Sequence, residues 1–304
     1  MTNQDLALHK DNSSSKAIIV KPLVRQLFAG RNLMVATMHG KESVMDPLFK
    51  QTLGVNVVTA TGLNTDCFGT FSGEIARMVS PLEAARRKCE AARALTGASL
   101  VVASEGSFGA HPVMGFLAAN EELWLLKDYQ HDLEIKARVL STKTNFSGQS
   151  FSEWKDVVSF ALKVGFPSHA LMVRASNTDM ENIHKGISDW MQLERSFQYF
   201  RSHHKSAYVE TDMRAHLNPT RMTVIRQAAL ELLNALLKTC PACEKPGFEV
   251  KDKIRGLPCG LCASPTNSIK SYHHFCQHCG YGEEAELPDG KTYEDPMFCD
   301  VCNP

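Results

Sequence analysis

Four Cys-x-x-Cys pairs near the end of the chain limit its fold more than any other feature. Two residues between the cysteines let both thiolates of one tight turn, or knuckle, face the same metal ion, and a second knuckle completes a tetrahedron of sulfur ligands. Four knuckles therefore predict two zinc ions whose positions are all filled by protein, which is typical of structural rather than catalytic zinc. The pairs are Cys240/Cys243, Cys259/Cys262, Cys276/Cys279 and Cys299/Cys302.

The spacing does not say which knuckles share an ion. Sequential pairing would make two tandem ribbons, pairing the first with the third and the second with the fourth would make a cross-brace, and the inner two could nest within the outer two. Segment 275–281, Phe-Cys-Gln-His-Cys-Gly-Tyr, resembles the second knuckle of a zinc ribbon and fits all three arrangements. Redox dithiols and an iron–sulfur cluster are alternatives to zinc, but a short segment with few large apolar side chains needs metal staples to fold. We therefore predict a small zinc-ribbon-like domain at residues 239–304.

Charge and the N-terminal sequence exclude several other classes of protein. Lys plus Arg and Asp plus Glu both number 33, so no net charge favours nucleic acid or a membrane surface. No apolar run approaches the about 20 residues that span a bilayer, and residues 1–20 lack the features of a secretory signal. We expect those residues to form a disordered tail. We also expect a cytoplasmic protein whose paired cysteines bind metal rather than form disulfides.

Residues 21–238 alternate between patterns that are typical of strands and of helices. Runs 32–37 and 55–59 predict buried strands, a capping box at 80–83 starts a helix, and run 100–103 predicts the next strand. This order of strand, helix and strand favours an α/β fold with a mixed or mostly parallel sheet and flanking helices. Further strands are predicted at 123–126, 133–140, 170–173 and 207–210, and further helices at 150–165 with a capping box at 150–153, at 185–200 and from Pro219.

Polar segments follow several of these predicted strands, at 37–42, 64–74, 104–112 and 210–221. Open α/β sheets bind ligands at the carboxyl ends of their strands. Converging carboxylates can hold Mg²⁺, whose remaining positions go to water and substrate phosphate. The same residue types are also ordinary in turns, and Asn218-Pro219 is explained as a helix cap. Four such segments together favour a ligand site.

The ligand-site hypothesis assigns roles by side-chain chemistry. Glu105 and Asp66 are the predicted metal carboxylates, and Glu42 or Asp212 would position the attacking water. The acid–base and substrate-binding candidates are His216, His39, His111, Lys41, Ser104, Ser107, Arg214 and Arg221, of which the lysine and the arginines would contact phosphate.

Four motifs together resemble those of an uncharacterised bacterial domain family. They are His-Gly-Lys-Glu at 39–42, Gly-Thr-Phe-Ser-Gly-Glu at 69–74, Ser-Glu-Gly-Ser-Phe-Gly at 104–109 and Glu-Thr-Asp-Met-Arg-Ala-His-Leu-Asn-Pro at 210–219, and the paired cysteines follow them. The resemblance extends from about Asn32 to the end of the chain. It implies the zinc module but no established activity.

A weaker resemblance is to inosine-triphosphatase-like pyrophosphatases, which clear non-standard nucleotides. Lys41 after an early strand, an Ala-rich helix at 84–94 and the acidic turn at 103–106 are similar to features of that family, and Arg214 with His216 is similar to its late His/Arg motif. The family's early asparagine is replaced around Met38-His39, and the sequence of its acidic turn is different. This resemblance implies hydrolysis of a nucleotide and is used only as an analogy.

The sequence thus predicts a metal-dependent hydrolase of a phosphorylated small molecule, with a nucleotide as one substrate class, Mg²⁺ as the catalytic ion and two structural zinc ions. The alternative is a zinc-ribbon protein that binds protein or nucleic acid without catalysis. Segment 251–255 is mildly basic, but acidic residues at 283–289 weaken the nucleic-acid version.

Overall fold

The computed structural model describes residues 20–37, 40–63 and 79–304. Nearly all of the predicted tail at 1–20 lies outside these residues. His39 and the polar segment at 64–74, which contains Asp66, also lie outside them. Predictions for those positions stay predictions.

A mixed sheet forms the first half of the described chain and confirms the predicted α/β class. Its strand order is β2-β1-β3-β4-β5. The pairs β1–β2 and β1–β3 are parallel, whereas β3–β4 and β4–β5 are antiparallel. Short loops join the antiparallel strands, while helices supply the long crossovers that parallel pairing requires. The strands are β1 (Asn32–Ala36), β2 (Asn56–Thr59), β3 (Leu100–Ala110), β4 (Ala118–Asp128) and β5 (Leu133–Ser141).

The first three helices cover opposite faces of this sheet. They are α1 (Pro22–Phe28), α2 (Glu42–Leu53) and α3 (Pro81–Thr96). The α3 helix begins as predicted, because Ser80 accepts a hydrogen bond from the Glu83 amide. Its buried alanines pack in one apolar cluster with β3 and β4. The buried side chains of α1 and α2 belong to a separate, larger cluster.

Residues 148–211 form a second sheet that the sequence did not separate from the first. Its order is β6-β9-β7-β8, and its pairs are all antiparallel. Two helices pack on it through a cluster of aromatic and aliphatic side chains. The elements are β6 (Gly148–Phe151), α4 (Trp154–Lys163), β7 (Leu171–Arg174), β8 (Ile183–Ile187), α5 (Trp190–His203) and β9 (Ala207–Thr211).

Two local predictions in this region are wrong. Ser150 lies in β6, and Glu153 begins α4 without a side-chain cap, so there is no capping box at 150–153. The helix predicted from Lys185 begins at Trp190. Residues before it pair as β8, and the Asp189 carboxylate caps the helix by accepting from the Gln192 amide.

A long helix, α6 (Pro219–Leu237), connects the second sheet to the cysteine-rich segment. Asn218 caps it by accepting from the Arg221 amide at 3.0 Å, as predicted. Its buried face joins α2 and β4 in the larger apolar cluster. No described helix is long and apolar enough to cross a membrane.

The cysteine-rich segment is a small antiparallel sheet held against the first sheet. Gly247 lies so close to β5 that an added Cβ would be 3.0 Å from Ile135 Cγ1, and its φ of +87° suits glycine. The strands are β10 (Glu249–Arg255), β11 (Ile269–Phe275) and β12 (Gly282–Glu286), and a short 3-10 helix follows at Pro296–Phe298.

Candidate functional site

The cysteine knuckles are interleaved. Each of two four-cysteine sets has its sulfur atoms within 4.8 Å of one another. The first knuckle shares a set with the third, and the second shares a set with the fourth. The structure therefore selects the cross-brace, and the tandem and nested arrangements are wrong. The sets are Cys240, Cys243, Cys276 and Cys279, and Cys259, Cys262, Cys299 and Cys302.

Sulfur–sulfur distances within each set match a tetrahedral zinc ion. The Sγ atoms of Cys240 and Cys279 are 3.6 Å apart, and those of Cys259 and Cys302 are 3.8 Å apart. Four thiolates at about 2.3 Å from one zinc ion lie about 3.8 Å from each other, whereas a disulfide bond is about 2.05 Å long. The two sets therefore suit two structural zinc ions.

Local backbone geometry shapes each knuckle. The Ala242 amide donates to the Cys240 sulfur at 3.4 Å, and the Leu261 amide does the same to Cys259. The residues after two of the knuckles, Glu244 and Ala263, have φ of +57° and +60°, which turns the chain back sharply. These contacts depend only on neighbouring residues, which is why the spacing alone could predict the knuckles.

A cavity of about 370 Å³ lies at the carboxyl ends of β1 and β2. The chain passes from β1 to β2 on one side and returns to β3 on the other side of β1. The connecting helices α2 and α3 consequently pack on opposite faces, which opens a crevice where the strand order reverses. The residues that line the cavity are Thr37, Gly40, Glu42, Thr59, Ala60, Gly62 and Leu63.

Lys41 is buried beside this cavity and reaches the middle of the neighbouring strand, because β3 continues to Ala110 and does not end at 103 as predicted. Its Nζ atom donates a hydrogen bond to Ser104 Oγ at 2.9 Å. The two meet because Ala36 and Ala103 are aligned in the parallel register of β1 and β3. Burial, together with the positive charge of Arg221, lowers the pKa of Lys41 to about 7.

A fully buried ion pair lies behind Lys41. Arg221 Nε is 2.7 Å from Glu122 Oε1, and neither side chain is exposed to solvent. Arg221 also donates to the Met213 carbonyl oxygen. Gly106 leaves room for the pair, since an added Cβ would lie 2.8 Å from Glu122 Oε1. The arginine thus ties segment 210–221 to β4, next to Gly106 of segment 104–112.

Glu105 lies on the other face of β3, because successive side chains of a strand alternate. Its Oε1 atom is 2.5 Å from Lys88 Nζ, and its side chain is 4% exposed. Ser107 follows the same alternation and points away from Lys41. His111 accepts hydrogen bonds from the amides of Val113 and Met114. These contacts order the loop between β3 and β4.

Asp212 and Arg214 form a second ion pair, at the end of β9. Arg214 Nη2 is 2.6 Å from Asp212 Oδ2, and the Asp212 side chain is completely buried. The Gly186 amide donates to the same oxygen. Nearby, burial raises the pKa of Glu210, and the Asp212 charge raises it further. His216 lies in the 3-10 helix Ala215–Leu217, which follows Arg214.

The structure thus brings together residues from three of the four predicted polar segments. It adds Lys88 and Glu122, whose charges act on Lys41, and Gly106, which leaves room for the Arg221–Glu122 pair. Sequence reasoning missed all three, although the two glutamates directly before the apolar run at 123–126 were a signal for Glu122. Within residues 20–37, 40–63 and 79–304, the cysteine sets are where three or more metal-ligating side chains gather.

Comparison with known protein families gives a match that covers most of the chain. Residues 88–304 match the family model described as "Domain of unknown function (DUF6671)". The match starts within α3, later than the Asn32 expected from the motifs, and includes all four knuckles. No curated protein matches the chain. The comparisons therefore lend no support to the analogy with inosine-triphosphatase-like pyrophosphatases.

Proposed function

The chain belongs to this domain family of unknown function, and we propose that it is a metal-dependent hydrolase of a phosphorylated small molecule, with nucleotides as the first substrate class to test. The observation that carries the proposal is the cavity at the carboxyl ends of β1 and β2, with Glu42 in its wall and Lys41 buried beside it. This is where open α/β sheets bind phosphorylated ligands.

Glu42 supplies the strongest argument for a cation. Its Oε2 atom is buried and has no hydrogen-bond partner among residues 20–37, 40–63 and 79–304, and Glu42 lies in the first turn of α2. A buried carboxylate oxygen without a partner is costly, and a cation in the cavity would satisfy it. Mg²⁺ commonly binds through one or two carboxylates, waters and substrate phosphate, so Glu42 with a bound phosphate meets that requirement. When bound, the ion would neutralise charge on the phosphoryl oxygens.

Lys41 and the start of α2 would bind the phosphate. Gly40, Lys41 and Glu42 lead into a helix of 12 residues, and helix N-termini attract phosphate through their free amide groups and dipole. An anion beside Lys41 would favour the ammonium form, whose pKa burial has lowered to about 7. Ligand binding should therefore be accompanied by proton uptake near neutral pH.

The other predicted carboxylates fit positioning roles. Glu105 is paired with Lys88 and Asp212 with Arg214, so each already neutralises a cation. We propose that these pairs hold Lys88 and Arg214 in place and that neither carboxylate binds the metal. The metal-binding role of Asp66 stays a prediction.

The test is a screen of nucleotides and simple phosphoesters against the full, zinc-loaded chain with added Mg²⁺ or Mn²⁺, read as released phosphate. We expect metal-dependent release, and Glu42→Gln should lower it at least tenfold, as loss of a metal ligand does. The matched control is Glu90→Gln, an exposed glutamate on α3, which should leave the rate unchanged.

If the screen detects no hydrolysis, binding of the same compounds should be measured by the melting temperature of the protein. If no phosphorylated compound is hydrolysed and none raises the melting temperature of the protein, the proposal is wrong. If compounds are hydrolysed equally well by Glu42→Gln, the hydrolase assignment stands and the metal assignment fails.

A second candidate function is protein binding by the cysteine-rich part. Several large apolar side chains there are exposed, among them Leu261 at 74% and Val301 at 66%. Exposed apolar groups clustered on a small domain favour a protein-binding surface. This function needs no catalysis and is compatible with the first.

A further inference from the structure

The unit around the second zinc site presents large apolar side chains to solvent. All of them lie within or next to the knuckles that hold Cys259, Cys262, Cys299 and Cys302. Leu261 and Val301 occupy the same position in the two knuckles and so flank the same metal site. We call this set the knuckle surface, and its members are Leu261, Tyr293, Met297, Phe298 and Val301, which are 74%, 64%, 61%, 58% and 66% exposed.

A groove of about 680 Å³ lies at one side of the knuckle surface, where Leu261 and Tyr293 line it. Leu261 and Tyr293 supply its apolar walls, and the carboxylates of Asp289 and Asp295 lie in the same groove. The Tyr293 ring packs on Gly260, where an added Cβ would be 2.9 Å from ring atom Cδ2. The groove is therefore shaped to accept a side chain between an aliphatic wall and an aromatic wall.

Acidic side chains outnumber basic ones in the lining of the groove, with Asp289, Glu294 and Asp295 against Lys291. From Cys276 to the end of the chain, Lys291 is the sole Lys or Arg. Lys291 is paired with Glu294 at 2.6 Å, so the two charges neutralise each other. Hydrogen bonds from Lys291, Ser268 and the Asp295 amide lower the Glu294 pKa to about 2. The acidic residues of this stretch are Glu283, Glu284, Glu286, Asp289, Glu294, Asp295 and Asp300.

We propose that the knuckle surface binds a basic segment of a partner protein, with an aromatic or branched aliphatic side chain between Leu261 and Tyr293 and flanking Lys or Arg side chains facing Asp289 and Asp295. Complementary charge selects such a partner and speeds its encounter. The same carboxylates repel a phosphate backbone, which disfavours nucleic acid. The inference rests on the second candidate function and is independent of hydrolysis.

The probe is a displayed library of random short peptides, selected on the full, zinc-loaded chain. We expect enriched peptides to carry a large apolar residue next to Lys or Arg. A synthetic consensus peptide should bind Leu261→Ser at least tenfold more weakly, because a central apolar contact carries much of the affinity in such grooves. The matched control is Leu162→Ser on α4, also a leucine and 61% exposed, which should bind like the wild type.

A second variant tests the contribution of the acidic side chains in the groove. Asp289→Asn with Asp295→Asn keeps the oxygens that accept from the Lys291 and Met297 amides while removing charge. It should weaken peptide binding and make the affinity less dependent on salt.

Other outcomes would overturn the inference. Enriched peptides without basic residues would contradict the charge argument. Basic peptides that bind Leu261→Ser as tightly as the wild type would leave protein binding intact but place it elsewhere. Binding of a single-stranded RNA oligonucleotide that depends on Leu261, or a dimer that Leu261→Ser dissociates, would assign the surface to nucleic acid or to a second copy of the chain.

Discussion

The Nζ atom of Lys41 donates a 2.9 Å hydrogen bond to Ser104 Oγ, and this contact joins the start of α2 to the middle of β3. Both residues are buried, so the lysine keeps its amine in a low-dielectric site next to the cavity. Burying an ammonium group costs free energy unless it is paired or loses its proton. The protonation of Lys41 should therefore affect the stability of the folded protein.

Replacing Lys41 should change how stability depends on pH. Its pKa falls from 10.5 to about 7 on folding, so between these values the unfolded chain holds a proton that the folded protein has lost. The cost of burying the charge is fully present below pH 7 and is relieved as the pH rises, by up to about 1.4 kcal/mol per pH unit. We expect Lys41→Met to lack this rise in the free energy of unfolding, measured by urea denaturation from pH 6 to about pH 9.

The control for this prediction is Lys50→Met, at an exposed position on the same helix. It should follow the wild-type pH profile. Parallel profiles for the wild type and Lys41→Met would mean that Lys41 titrates normally.

The interleaved knuckles predict an asymmetric loss of zinc. Cys240→Ser and the double variant Cys240→Ser/Cys276→Ser should each retain one ion per chain, because both substitutions fall in the same site. Cys240→Ser/Cys259→Ser should lose both ions. The measurement is zinc content by elemental analysis after dialysis against a competing chelator.

Each alternative pairing gives a different pattern. Tandem pairing would let Cys240→Ser/Cys259→Ser keep one ion, and nested pairing would make both double variants lose both ions. Fewer than one zinc ion in the wild-type chain would contradict the metal assignment itself.

Gly106 should tolerate no side chain. An added Cβ would lie 2.8 Å from both Glu122 carboxylate oxygens, so Gly106→Ala must displace the buried Arg221–Glu122 pair. Both side chains are fully buried, so we expect this shift to cost about 1–3 kcal/mol, as inserting a methyl group into a packed core does. Gly109→Ala, on the same strand with nothing within 4 Å of its Cβ, is the matched control and should leave stability nearly unchanged. Equal melting temperatures for the two variants would refute the steric argument.

Removing one partner of the Arg221–Glu122 pair should be worse than removing both. Arg221→Met leaves the Glu122 carboxylate buried without its cation, and we expect a loss of about 3–5 kcal/mol in the free energy of unfolding. Arg221→Met/Glu122→Leu should recover part of that loss, since no buried charge remains. A double variant as unstable as the sum of the single variants would show that the pair makes no net interaction.

Short-range patterns explain what the sequence determined by itself. The Cys-x-x-Cys spacing brings two sulfurs to one ion within four residues, and the Ser80 and Asn218 caps act on amides three residues away. These features depend on local backbone geometry, so the knuckles, the starts of α3 and α6 and the α/β class could be predicted without knowing which segments meet.

Only the tertiary structure decided which distant residues become neighbours. The pairing of Cys240 with Cys279, of Arg221 with Glu122 and of Lys88 with Glu105 joins segments far apart in the chain. The sequence could not separate the antiparallel second sheet from the first, because a strand's apolar pattern does not name its partner. The alternation of β3 then placed Ser104 toward Lys41 and Glu105 toward Lys88. The zinc knuckles are thus local chemistry, whereas the cavity around Glu42 exists because the strand order reverses at β1.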